Sequence, residues 1–179
     1  MSFAPFDRPD VIRRLMTLRT LSLGMMLGLA GISGVVMMIV HFALDGLPIA
    51  GRLMTVGGVS MVTVVAGVIT LIMIPVTQFL ASGRVERGLD ELAARPRDDH
   101  PEGLLDLFAG YTFTCQIVPL MIGFCWAALM HLTADPLMLL WVSFLIGFMI
   151  VHYPTTVRAQ NWYNQMRDLL AGRIAAKSA

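Results

Sequence analysis

Charge is what this chain has least of. Asp, Glu, Lys and Arg make up 14% of its 179 residues, against about 25% in an ordinary soluble domain. The 13 basic and 12 acidic residues leave a net charge of +1, so there is no basic surface to neutralise a run of phosphates, and nucleic acid is set aside as a partner. Cysteine stops at two. Cys115 and Cys125 lie ten residues apart, roughly 15 Å along a helix, too far to bridge each other, which excludes a disulfide scaffold and leaves both as small packing residues. Also missing are G-x-x-x-x-G-K-[ST], H-E-x-x-H, G-x-S-x-G and C-x-x-C. No nucleotide site, zinc protease or serine hydrolase is visible, and the expectation is a chain that is not an enzyme.

What is present is apolar: 56% of residues are hydrophobic. A helix that crosses a hydrocarbon core of roughly 30 Å needs about 20 such residues, because every backbone amide must find its partner within the segment. Four stretches qualify: 21–44, 53–80, 104–132 and 136–153. The first two carry no charge. The third carries Asp106 near its start and is longer than a bilayer requires, so it tilts or projects into water. The first run is also longer than the about 7 to 15 residues of a signal-peptide core, and reads as a retained span.

Arginines fix the expected orientation. Arg8, Arg13, Arg14 and Arg19 precede the first span, Arg84, Arg87, Arg95 and Arg97 separate the second from the third, and Arg158, Arg167, Arg173 and Lys177 follow the fourth. Only Arg52 falls in an opposite loop, so residues 1–20, the loop 81–103 and the C-terminus are expected to be cytoplasmic. Arginine outnumbers lysine 12 to 1, a bias that points to a GC-rich bacterium and hence to an inner membrane.

The spans pair as two hairpins with an echo between them. His41-x-x-x-Asp45-x-Leu47 recurs as His131-x-x-x-Asp135-x-Leu137, and Ile74-Pro75-Val76-Thr77 echoes Tyr153-Pro154-Thr155-Thr156. Gly24, Gly28, Gly31 and Gly34 line the first span, with Gly57, Gly58, Ala66 and Gly67 in the second. Small residues let membrane helices approach closely, so these predict a tight crossing inside one bundle, with a seam between copies as the alternative. After the last span Trp162, Met166, Leu169, Leu170 and Ile174 fall on one face of an amphipathic helix over 156–176. Trp162 and Tyr163 are expected to anchor it along the cytoplasmic interface, or it grips a partner.

Ionisable and polar groups at membrane depth are functional candidates by default. Asp106 and Thr114, with Gln116, Gln78, His152 and Tyr153, could line a polar pocket in which Asp106 and His152 share a proton. The plainer reading leaves Asp106 in the headgroup zone beside the positive end of its own helix. His41 and His131, each followed by an acid at Asp45 and Asp135, could ligate haem or a divalent metal, or simply finish two solvated helix ends. The 14 methionines serve as fillers of apolar helices rather than as a copper path.

The expectation is therefore an all-α membrane protein of four transmembrane helices in two hairpins, both termini cytoplasmic, with a C-terminal amphipathic helix. Its partners are the lipid bilayer and other membrane subunits or further copies of itself. Its expected role is a non-catalytic scaffold, accessory or assembly subunit of an inner-membrane complex. A small channel or proton-coupled transporter is the alternative, and a haem or metal protein the third.

Overall fold

Helices account for most of the described residues. The structure, a computed structural model, describes Phe6 and residues 8–42, 55–56, 59–96, 99–133 and 135–178. In order they form α1 (Pro9–Phe42), β1 (Thr55–Val56), β2 (Val59–Ser60), α2 (Met61–Leu92), α3 (His100–Thr133), α4 (Met138–Val151) and α5 (Thr156–Ser178). Pro9 opens α1 with Asp10 in its first turn, the fixed φ and negative charge that suit a helix N-terminus. At the other end of the chain Pro154 stops α4 from continuing, and Thr155 Oγ1 accepts the backbone N–H of Arg158 to start α5.

Three helices, α1, α2 and α3, are long and apolar enough to cross a membrane, and α4 with α5, bent by 65° at their break, forms a fourth such unit only as a pair. On its own α4 has 14 residues, about 21 Å at 1.5 Å per residue. The second expected span also moves. It was expected at residues 53–80, whereas α2 begins at Met61 and runs to Leu92, because Thr55 and Val56 pair antiparallel with Ser60 and Val59 ahead of it. A Gly-Gly pair between β-branched residues is a hairpin signal, and at such a point it outranks hydropathy. The expected turn at residues 45–52 lies outside the described residues, as do Gly57 and Gly58.

The chain divides into two compact units, although it reads as one membrane domain in sequence. Unit 1 comprises Met1–Ser22, Gln78–Cys115 and Tyr153–Ala179; unit 2 comprises Leu23–Thr77 and Gln116–His152. Each of α1, α2 and α3 gives one end to each unit.

Unit 1 is a helical body with an apolar centre. Val85, Leu89 and Leu92 of α2, at spacings of four and three, meet Leu104 of α3 and Tyr163 and Leu170 of α5. Leu15 of α1, Phe108 and Ala159 form a second cluster. Phe6 stands edge-on to Tyr163 with centroids 5.6 Å apart, and Trp162 packs on Phe108 at 5.4 Å. Trp162 and Tyr163 therefore turn inward to α2 and α3, which corrects the expectation that they anchor α5 at the lipid surface. Part of the apolar face of α5 is covered by its own chain, through Tyr163 and Leu170, while Leu169 stays exposed.

Every charged residue except Asp45, Arg52 and Asp135 belongs to unit 1. Arg14 Nη1 lies 3.0 Å from Asp106 Oδ1, Arg8 pairs with Asp10 and Glu102, and Arg173 with Asp90. These pairs are exposed, and such pairs contribute about 0 to 1 kcal/mol each.

Unit 2 mixes apolar and polar side chains in its interior. Its centre holds Leu29 of α1, Met130 of α3, and Met138, Val142, Leu145 and Met149 of α4, together with Ser33, Thr63, Thr70 and Gln116. Thr63, Thr70 and Thr77 recur every seventh residue, so α2 turns one hydroxyl stripe inward. Trp126 Nε1 donates to Thr70 Oγ1 at 2.8 Å, and Trp141 Nε1 to the Thr63 carbonyl at 3.0 Å. Gly67 is needed where it stands, because a Cβ there would come within 2.2 Å of the Trp141 ring.

Candidate functional site

Each polar group singled out in the sequence has a definite environment. In unit 1, Asp106 takes Arg14 as its partner and keeps 71% of its side chain exposed. Thr114 Oγ1 donates to the Gly110 carbonyl at 2.9 Å and accepts from Arg84 at 3.2 Å, while Gln78 is exposed. The Tyr153 carbonyl accepts from the Thr155 N–H at 2.9 Å. In unit 2, Gln116 is 1% exposed and its Nε2 donates to the Met149 carbonyl at 2.9 Å. Its Oε1, like Ser33 Oγ, is buried with no hydrogen-bond partner among the described residues. His152 Nδ1 lies 2.9 Å from the Phe148 carbonyl and its ring stacks on Phe148 at 4.2 Å. Asp106, Thr114, Gln78 and Tyr153 thus belong to one unit, and Gln116 and His152 to the other.

The histidines of the expected haem or metal site are both exposed, and His41 rests edge-on against Phe42 at 4.8 Å. Asp135 is committed elsewhere: Oδ2 accepts from Thr63 at 2.6 Å and Oδ1 from the Leu137 N–H at 3.0 Å, an arrangement that closes the turn into α4. Asp45 lies outside the described residues. Among the described residues no three His, Cys, Asp or Glu side chains are grouped as a metal site. Both cysteines are free thiols, Cys115 buried and Cys125 exposed.

The glycines of α1 do not serve the crossing expected of them. At Gly24, Gly28, Gly31 and Gly34 nothing lies within 4 Å of where a Cβ would stand, and all four are exposed. The buried side of α1 in this unit is the opposite one, marked by Met26, Leu29, Ser33 and Val40. The α1 glycines therefore form an open face, and the tight approach in unit 2 occurs instead at Gly67 under Trp141 and at Gly123 beside Leu29.

Besides a small cavity of about 40 Å³ beside Arg14, Asp106 and Phe108, two wider concavities are present among the described residues. A cleft of about 350 Å³ in unit 2 is walled by Thr63, Gly67, Leu71, Leu140 and Trp141. A wider groove of about 610 Å³ in unit 1 lies between His100 and Leu104 at the start of α3 and Tyr163, Arg167, Leu170 and Ile174 of α5. Burial pushes the Tyr163 phenol above its usual value, with the Arg167 cation pulling the other way.

Sequence reasoning missed the two tryptophan bonds and the Thr63–Asp135 contact. A signal existed: a tryptophan inside an apolar run needs an acceptor for its indole N–H, and the threonines spaced by seven on α2 supply or adjoin one. No protein-family model matches this chain, and comparison with curated proteins and with solved structures finds no match.

Proposed function

We propose that this chain is a non-catalytic integral membrane subunit, a scaffold or accessory component that assembles with other membrane helices in a bacterial inner membrane. The open glycine face of α1 carries this reading. It is a surface made for close approach that no described residue occupies, and close approach is what drives helix association where lipid tails are as apolar as leucine. The arginines flanking the spans favour four crossings in two hairpins, with residues 136–153 as the short fourth, and both termini and unit 1 on the cytoplasmic side. Unit 1 then offers the charged, water-facing surface of the complex.

The test is the mass of the intact assembly after mild extraction from native membranes. The wild type is expected in a complex several times the mass of one chain. Gly28→Leu is expected to release most of the single chain with its helix content unchanged. A wild type that emerges alone, or a Gly28→Leu assembly of wild-type mass, ends the proposal.

A second reading, a small transporter, rests on the buried Gln116 Oε1, because an unpartnered polar atom in an apolar interior calls for a transient donor. Solute flux into liposomes, abolished by Gln116→Leu with the fold intact, would favour it over the scaffold.

A further inference from the structure

The turn between α4 and α5 gathers two cations. Arg19 reaches it from α1, donating from Nε to the Pro154 carbonyl at 2.8 Å and from Nη2 to Thr156 Oγ1 at 2.6 Å. Arg158 reaches back from the first turn of α5, its Nη1 lying 3.4 Å from the Tyr153 carbonyl. Consecutive carbonyls of one short turn thus each hold a guanidinium. All of these residues belong to unit 1.

The acceptors that draw the two arginines together carry no formal charge. Among the described residues neither Arg19 nor Arg158 has a carboxylate within ion-pair distance, whereas Arg8, Arg14, Arg167 and Arg173 all do. Like charges held on one short turn repel unless an anion joins them, and among the described residues the bonds to the turn engage only some of their N–H donors. Thr155 and Thr156 are exposed beside them, and each hydroxyl oxygen already accepts a bond, so its proton is free to donate outward.

The place in the chain matters as much as the charge. Arg19 is the last charged residue before the uncharged run of α1, and the turn follows the uncharged α4. Both cations therefore stand where an apolar segment meets water, the level at which lipid phosphates lie. Guanidinium forks match phosphate oxygens in pairs, and hydroxyl donors add to them.

We propose that this turn binds a phosphate group, with Arg19 and Arg158 on its oxygens and the Thr155 and Thr156 hydroxyls as further donors. An anionic phospholipid and a soluble phosphate ester share this chemistry. The proposal is independent of the scaffold reading, since it concerns the isolated chain.

The experiment is native mass spectrometry of the full chain in neutral surfactant, offered phosphatidylglycerol or phosphatidylcholine, with inorganic phosphate as competitor. Phosphatidylglycerol is expected to be retained in preference to phosphatidylcholine. Arg158→Gln is expected to weaken that retention about fivefold, the weight of one interfacial arginine. Arg87→Gln, which removes an exposed cation bonded only to its own helix, is expected to leave retention unchanged. If excess phosphate displaces the lipid, the natural source is a soluble ester; if it does not, the source is the bilayer. Should Arg158→Gln lose helix content, Arg158→Lys takes its place, and a partial loss is expected because the charge stays and the fork goes. Equal retention of the two lipids overturns the proposal, as does an Arg158 variant equal to wild type or an Arg87→Gln loss equal to that of Arg158→Gln.

Discussion

The two units differ most in where the charge lies, for all but three of the charged residues belong to unit 1. In unit 1 Leu89, Leu104 and Leu170 are almost wholly buried and the Arg14–Asp106 pair is on the surface, although Phe79, Leu80 and Leu169 are exposed. In unit 2 hydroxyls and an amide are buried while Leu27, Met38, Val68, Leu71, Leu140 and Ile150 point out. Water outside drives the first arrangement through the hydrophobic effect. The second suits a surrounding of hydrocarbon, in which leucine gains little by moving inside and polar groups gain by finding one another. The change in charge falls within α1, α2 and α3 rather than at a loop.

That contrast can be broken most forcefully by truncating leucines. Leu104→Ala, or Leu89→Ala, in unit 1 is expected to cost about 2 to 5 kcal/mol, read as a lower thermal midpoint in surfactant, whereas Leu27→Ala on the outer side of unit 2 is expected to change it hardly at all. Equal losses at the two places would show that both units live in the same solvent. Next in size is Gly67→Val, whose side chain has to displace the rigid Trp141 ring; overpacking of this kind costs about 1 to 3 kcal/mol, and near-ultraviolet dichroism of the indole should change with it.

The smallest effect is one of pH. The Tyr163 phenol has a raised value in the folded chain, so the folded state holds that proton more tightly than the unfolded one does. Its contribution is complete below about pH 10, the unfolded value, and is lost as pH rises through the folded value. Thermal midpoints should hold through neutral pH and fall in strong alkali, and Tyr163→Phe should flatten part of that fall. An unchanged alkaline profile in the variant would remove Tyr163 from the account.

Much of this was legible in the sequence. The uncharged runs gave long helices, and the arginines marked their ends. The third run was legible as the span-length helix α3, but the packing of its first part was not: Leu104, Phe108 and Thr112 are buried at every fourth position while Glu102, Asp106 and Phe113 are exposed. That is the pattern of a helix packed in a water-facing bundle, and a window average cannot distinguish it from a lipid-facing one. The direction of the α1 glycines was equally hidden, because spacing shows that they share a face and says nothing of what the face meets. The orphaned Gln116 Oε1 needed three dimensions to be seen at all.

The chain's three tryptophans are split between the units, Trp162 lodged against Phe108 in the charged one and Trp126 and Trp141 bonded to α2 in the apolar one. Nature has thereby installed separate optical reporters. Replacing Trp162 with phenylalanine silences one emitter and leaves the other pair glowing, so the sequence in which the two bodies melt can be followed by fluorescence with no label attached.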